Sequence, residues 1–413
     1  MGGWARGGQA RTVVGPAWRR LAACGPLLLA LVTAACAGAA LPTDPPVAAS
    51  PVATTSDTAA TPAAIPATPA PAATPVPQLT PLALPAQHPM ATAWVLGPLP
   101  GVIERPTRLA VTDAGEIFVL DSMLHKVARF DRTGQLVAAW GSQGFGTGQF
   151  TFQIEGGPRA AALAASPDGR VYVGDATNRV QVFDRQGQVL AVRAIGGPGD
   201  SEVGRLGGLA IDRGGNLYVT DTDFHRVRKY DPGGKFLVAW GGQGSDDGKF
   251  QAPAGIAVDG QGHVYVADGL ARIQKFDAGG RFLVAWGVRG DGAGEFRSIP
   301  TLAVNGQGIV LATDSGNYRV QAFDRDGNYL TQWGGLGAGI GELNRPISIA
   351  VDAHGEIYVL ESGNRRVQKF MPRIAWPTAA KGTPTPRPPT PTASPTSVPL
   401  PVGPPPFMTP ADR

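Results

Sequence analysis

Between residues 91 and 371 the chain alternates short apolar runs with turn residues, and the alternation itself repeats. An apolar triplet recurs at Leu109, Leu163, Leu209, Ile256, Leu302 and Ile349, at spacings of 54, 46, 47, 46 and 47 residues. Each triplet leads into a glycine-containing turn such as Asp259–Gly262, then into a second run beginning at Ile117, Val171, Leu217, Val264, Ile309 or Ile357. A third run follows, as at Arg179–Phe183 and Arg272–Phe276, and a fourth, as at Leu136–Trp140, Phe236–Trp240, Phe282–Trp286 and Tyr329–Trp333. The runs are short, rich in β-branched and aromatic residues, and bounded by Gly, Asp or Asn, which is strand chemistry. No stretch sustains a 3.6-residue period, so helices should be nearly absent. Four strands per unit, repeated six times, predict an all-β fold: a six-bladed β-propeller of four-stranded blades.

The sixth unit stops at Pro372 without a fourth strand. Ala91–Leu96 reads as an unattached one and is expected to complete the last blade, because an open ring would expose strand edges and an apolar blade face.

The flanks differ in kind. Residues 1–35 carry Arg6, Arg11, Arg19 and Arg20, no acid, and an apolar stretch ending in small residues before Cys36, which reads as an export segment. Thr33-Ala-Ala-Cys36 resembles a lipobox; lipidation at Cys36, simple cleavage and an uncleaved anchor all stay open, and all three place the rest of the chain outside the cytoplasm, at the cell surface or in the periplasm. Residues 36–90 and 372–413 are rich in Pro, Ala and Thr, cannot bury a core, and are expected to act as disordered spacers, so 91–371 is the one folded domain.

Charge then changes meaning. The formal net charge of +4 matches the four arginines of the export segment, and residues 91–371 hold 28 bases against 29 acids. That balance gives no electrostatic case for nucleic acid. With two cysteines in the whole chain, a disulfide framework or a Cys-rich zinc module is excluded.

The units resemble NHL repeats, most clearly at Asp175–Asp184, with Asn178, Arg179, Val180, Gln181 and Phe183, and at Gly363–Phe370. The resemblance implies a propeller used as a binding platform or sensor, or the peptidyl-hydroxyglycine lyase. Fold alone does not choose among these.

Each unit places an acid at the end of its second strand and a base four or five residues later: Asp121 and Lys126, Asp175 and Arg179, Asp221 and Arg226, Asp268 and Arg272, Asp314 and Arg319, Glu361 and Arg366. Repeated together, these are expected to be structural ion pairs rather than a free basic ring. Asp212, Asp259 and Asp352, with Asn305 in register, precede tight turns and are expected to cap them. The resemblance to the lyase raises a histidine-bound metal, but only His125 and His225 fall in suitable loops, so no metal and no cofactor are expected. Irregular loops often carry the binding face. Candidate ligand-binding residues are therefore His125, Glu155, Arg159, Asp200, Glu202, Arg205, Phe224, His225 and Tyr318. The expected function is non-catalytic binding of a protein, peptide or glycan by a monomer, with membrane attachment at its N-terminus. The alternative is a metal-dependent propeller enzyme, lyase-like or lactonase-like.

Overall fold

The structure, a computed structural model, describes residues 90–97, 99–153, 161–196, 204–373 and 376. They form a six-bladed β-propeller. Blade one comprises Pro106–Val111, Ile117–Asp121, Lys126–Phe130 and Leu136–Trp140. Blade two comprises Ala161–Ala165, Val171–Asp175, Arg179–Phe183 and Val189–Ala194. Blade three runs through Leu206–Ile211, Leu217–Asp221, Arg226–Tyr230 and Phe236–Gly241. Blade four is Ile256–Val258, Val264–Asp268, Arg272–Phe276 and Phe282–Trp286, and blade five is Leu302–Val304, Val310–Asp314, Arg319–Phe323 and Tyr329–Gly334. Each of these five four-stranded sheets is antiparallel with its strands in sequence order. Among the described residues the one helical segment is a 3-10 turn at Ser315–Asn317.

The sixth blade joins the two ends of the ring. Pro346–Val351, Ile357–Glu361 and Arg366–Pro372 accept Met90–Leu96 as their outer strand. The register runs from Met90 opposite Pro372 to Leu96 opposite Val367, with a shift between Thr92 and Trp94. The first strand of each blade neighbours the first strands of the two adjacent blades, so these six edges enclose a central channel.

Packing between blades repeats as well. The last-strand tryptophan of one blade sits between its own second strand and the next blade: Trp140 lies 6.1 Å from Phe118 and 6.0 Å from Phe183. It also covers the next blade's outer turn, where Gly187 has φ 84° and an added Cβ would lie 2.6 Å from the indole. That position requires glycine on both counts. Trp94 plays the tryptophan's part in the closing strand, 6.0 Å from Tyr358. Blade two has Arg193 instead, which lies over Tyr172 and donates to Pro232 O of blade three. Arg193 therefore breaks the sequence pattern while keeping the contact between blades.

The glycine-rich connections between blades are more ordered than simple turns. Val288–Arg289 pairs in parallel with Glu295–Phe296, and Gln143 and Gln243 pair likewise with Phe150 and Phe250. Phe150, Phe250, Phe296 and Leu343 close these connections as fully buried plugs.

Because successive strands reverse direction, the molecule has two unlike faces. One carries the turns between first and second and between third and fourth strands; it is called the turn face here. The other carries the loops between second and third strands and the connections between blades; it is the loop face.

Candidate binding face and central channel

On the loop face every second strand ends in a buried acid, and most of these acids draw donors from distant parts of the chain. Asp314 accepts from Arg297 N at 3.0 Å and Glu361 from Asn344 N at 2.8 Å, each 17 residues upstream. Arg179, Arg226, Arg272 and Arg319 donate from Nε to Asp175, Asp221, Asp268 and Asp314 at 3.0–3.2 Å, and Arg366 to Glu361 at 2.6 Å. Several of these arginines go further. Arg272 also reaches Ser245 O at 2.6 Å and Lys249 O at 2.7 Å, so one guanidinium ties a carboxylate to the preceding connection. Burial raises the Asp268 carboxyl, and Arg272 is the largest influence opposing that rise.

Blade one departs from the expectation. Lys126 forms no ion pair with Asp121. Asp121 accepts instead from four backbone N–H groups, Glu104 and Arg105 at 2.6 Å and Met123 and Leu124 at 2.9 Å. Lysine lacks the planar fork that lets arginine hold a carboxylate and loop carbonyls together. The chain before blade one also comes from the closing strand rather than from a glycine-rich connection.

His125, His225 and Tyr318 occupy one and the same backbone position in blades one, three and five. Each has a left-handed φ, 53°, 54° and 57°, as do Asn178, Ala271 and Arg365 in the other blades. His125 stacks on Phe152 at 5.6 Å, and His225 accepts the Ala252 N–H at 2.9 Å through Nδ1. These residues belong to separate blades. Phe224 stands half-exposed with Arg226 over its ring at 5.1 Å, and Arg205 pairs with Asp223 at 3.4 Å beside it. Blade three thus brings Arg205, Phe224 and His225 to one loop cluster. Glu155, Arg159, Asp200, Glu202 and Cys36 lie outside the described residues. The blade-two acid still locates the seven extra residues of that unit. Asp175 accepts from Thr151 N, 24 residues upstream instead of 17, so the extra length falls between Thr151 and blade two. Among the described residues no group of three or more His, Cys, Asp or Glu is placed to hold a metal ion.

Two features were not singled out from the sequence. The first is apolar: Met123, Phe145 and Leu336 are 62, 70 and 63% exposed, all on the loop face, with Phe224 and Val288 also exposed there. Among the described residues the turns of the opposite face carry no exposed large apolar side chain.

The second is the channel. It holds a cavity of about 180 Å³ lined by the first strands of all six blades, which shares Val111, Ala165, Ile211, Val304 and Val351 with the turn-face mouth. Arg108 is the one charged side chain among its lining residues. The matching positions in the other blades are Ala162, Gly208, Gly255, Thr301 and Ser348; they are small where neighbouring first strands approach, a Cβ on Gly208 lying 2.5 Å from Ala254 O and the Ser348 hydroxyl meeting Leu109 N. Arg108 donates to Thr107 O at 2.9 Å and, across the ring, to Gly207 O at 3.2 Å. Burial pushes its pKa down to about 10. The turn-face mouth, about 290 Å³, carries Asp113, Asp212, Asp259 and Asp352 with Arg213. Asp212 and Asp259 there accept the N–H two or four residues ahead and a tyrosine hydroxyl at 3.1 Å, which is local turn capping.

Comparison with known proteins agrees with this architecture. The NHL repeat family matches residues 343–370, inside blade six. The resemblance noted in the sequence is therefore shown there, within a propeller whose six blades share one plan. No curated protein sequence is significantly similar to the chain. A solved structure of a protein of unknown function from Bacteroides thetaiotaomicron is similar at 17% identity and a TM-score of 0.49, over 66% of this chain and 71% of that one.

Proposed function

We propose that this NHL propeller is an extracytoplasmic binding module that engages a protein or peptide through its loop face without chemistry. The observation that carries this reading is the one-sided exposure of Met123, Phe145 and Leu336 above a network of buried acids. Exposed apolar side chains grouped on one face mark interaction surfaces, and a fixed base beneath them lowers the ordering cost of binding. Glycan binding is the other outcome of the test. The place outside the cytoplasm rests on the basic, acid-free segment 1–35 and on Thr33-Ala-Ala-Cys36, with membrane attachment through a lipid on Cys36. A shared family and fold supply only the scaffold.

The test is capture from a surface extract by the full chain and by a Met123→Ser/Phe145→Ser/Leu336→Ser variant. Capture of one protein that drops at least tenfold in the variant supports the reading. Equal capture by both chains, or capture of glycan alone, overturns it.

A further inference from the structure

We propose that the central channel is a binding site for a short monocarboxylate, held by Arg108. This site stands apart from the loop-face partner, and neither reading depends on the other.

Arg108 is the starting point. A guanidinium drawn into a channel keeps its charge at a solvation cost, and in proteins such a charge is normally met by a carboxylate. Among the described residues Arg108 meets only two carbonyl oxygens. Those contacts orient the group without neutralising it, and further N–H donors remain for a planar two-oxygen acceptor. The ion pairs elsewhere on the loop face make the contrast plain, because there each described arginine facing a strand-end acid binds it directly.

Charge selects the class of ligand. Among the described residues one guanidinium is the only ionic side chain lining the cavity, which matches a single negative charge rather than a doubly charged phosphate. The carboxylates at the turn-face mouth also disfavour an anion lodged further along the channel.

Shape selects its body. Leu109, Leu163, Leu209, Ile256, Leu302 and Ile349 border the cavity, one from each blade, while their side chains pack into the cores between blades. Their edges give a short hydrocarbon tail a partly apolar wall. A cavity of about 180 Å³ admits a small organic acid.

The probe is butyrate, with acetate and inorganic phosphate for comparison, titrated into the full chain and followed by calorimetry and by thermal unfolding. Butyrate is expected to bind and raise Tm, at least tenfold more tightly than acetate or phosphate. Arg108→Met is expected to weaken butyrate at least tenfold and to be as thermostable as the parent without ligand, since it removes an unneutralised charge. Arg108→Lys should keep part of the binding. Three results would each overturn the proposal: no binding of butyrate, phosphate binding as tightly as butyrate, or an Arg108→Met chain that unfolds below the parent in ligand-free buffer. The last would mean that Arg108 already has its anion within the fold. Loss of partner capture on the loop face leaves all of these readings unchanged, so the two proposals fail separately.

Discussion

Both faces of the ring use acidic side chains to close bends, but they do so over different distances. On the turn face Asp259 accepts from Gln261 N and His263 N, two and four residues ahead, and from the Tyr265 hydroxyl. Everything it needs lies within one hairpin. On the loop face Asp268 is held by Arg272, and Arg272 by carbonyls more than 20 residues upstream. The turn-face acids are thus local caps, with Arg129, Lys229 and Lys275 adding bonds to turn carbonyls of the next blade, while the loop-face acids are stitched from one connection to the next. Met123, Phe145, Phe224, Val288 and Leu336 stand exposed on the stitched side, and further exposed apolar side chains such as Val137, Leu190 and Leu237 lie along the outer strands. A surface that must present side chains in fixed positions benefits from long-range anchoring, whereas a turn needs only to reverse the chain.

Substitutions can break this contrast. The largest effect is expected for Arg272→Ala. It strands the buried Asp268 carboxylate and several carbonyls, and breaking a buried pair typically costs about 3–5 kcal/mol. The midpoint of urea unfolding measures it. Should the loss be no greater than that of a turn-face substitution, the long-range anchoring is not what holds the loops.

Asp259→Asn is the turn-face counterpart, and the ring supplies its own precedent in Asn305, which accepts from Gln307 N and Ile309 N in the same geometry. The backbone cap should survive, and the loss is expected to be about 0.5–1 kcal/mol at pH 7. Burial works to raise the Asp259 carboxyl, but the His263 ring and the N–H groups of His263 and Gln261 outweigh it and hold the pKa below the ordinary value. A lowered folded pKa stabilises the fold above the unfolded carboxyl value, about 4, and the benefit is lost as pH falls through the folded value. The gap between parent and Asp259→Asn should therefore be widest at neutral pH and close in acid. A gap that widens in acid would contradict the assignment.

Smaller effects sharpen the picture. Lys126→Ala should change stability by less than about 0.5 kcal/mol, because Asp121 is satisfied by four backbone N–H groups. Thermal unfolding of Met123→Ser, Phe145→Ser and Leu336→Ser should stay within about 0.5 kcal/mol of the parent, as their side chains are exposed. A large loss in any of these three would make it a packing residue instead of a contact residue.

The blades were legible in the sequence because each recurs, and a strand supported by five copies of itself is hard to misread. The closing strand was legible for a related reason: Trp94 stands where Trp140, Trp240, Trp286 and Trp333 stand, and the sixth unit lacked that piece. The ion pairs were legible as acid and base in step, but Lys126 shows what that pattern hides. It counts charge and ignores whether the base has a fork. His125, His225 and Tyr318 drew notice as side chains, although what recurs at their position is a left-handed backbone. Arg108 sits inside a regular strand, so neither the repeating charges nor the irregular loops point to it. The signal was available as a mismatch, one arginine aligned with Ala162, Gly208, Gly255, Thr301 and Ser348. Its surroundings needed the ring, since only closure brings the Gly207 carbonyl of blade three within reach of its guanidinium.

Hydrogen exchange of the full chain, with and without a captured surface protein, tests the difference between the faces most directly. Slowed exchange is expected in the loop-face segments 122–125, 142–149 and 335–342, with the turns at 212–216, 259–263 and 352–356 unchanged. Protection confined to those turns, with the loop-face segments unaffected, would contradict the assignment of the binding face.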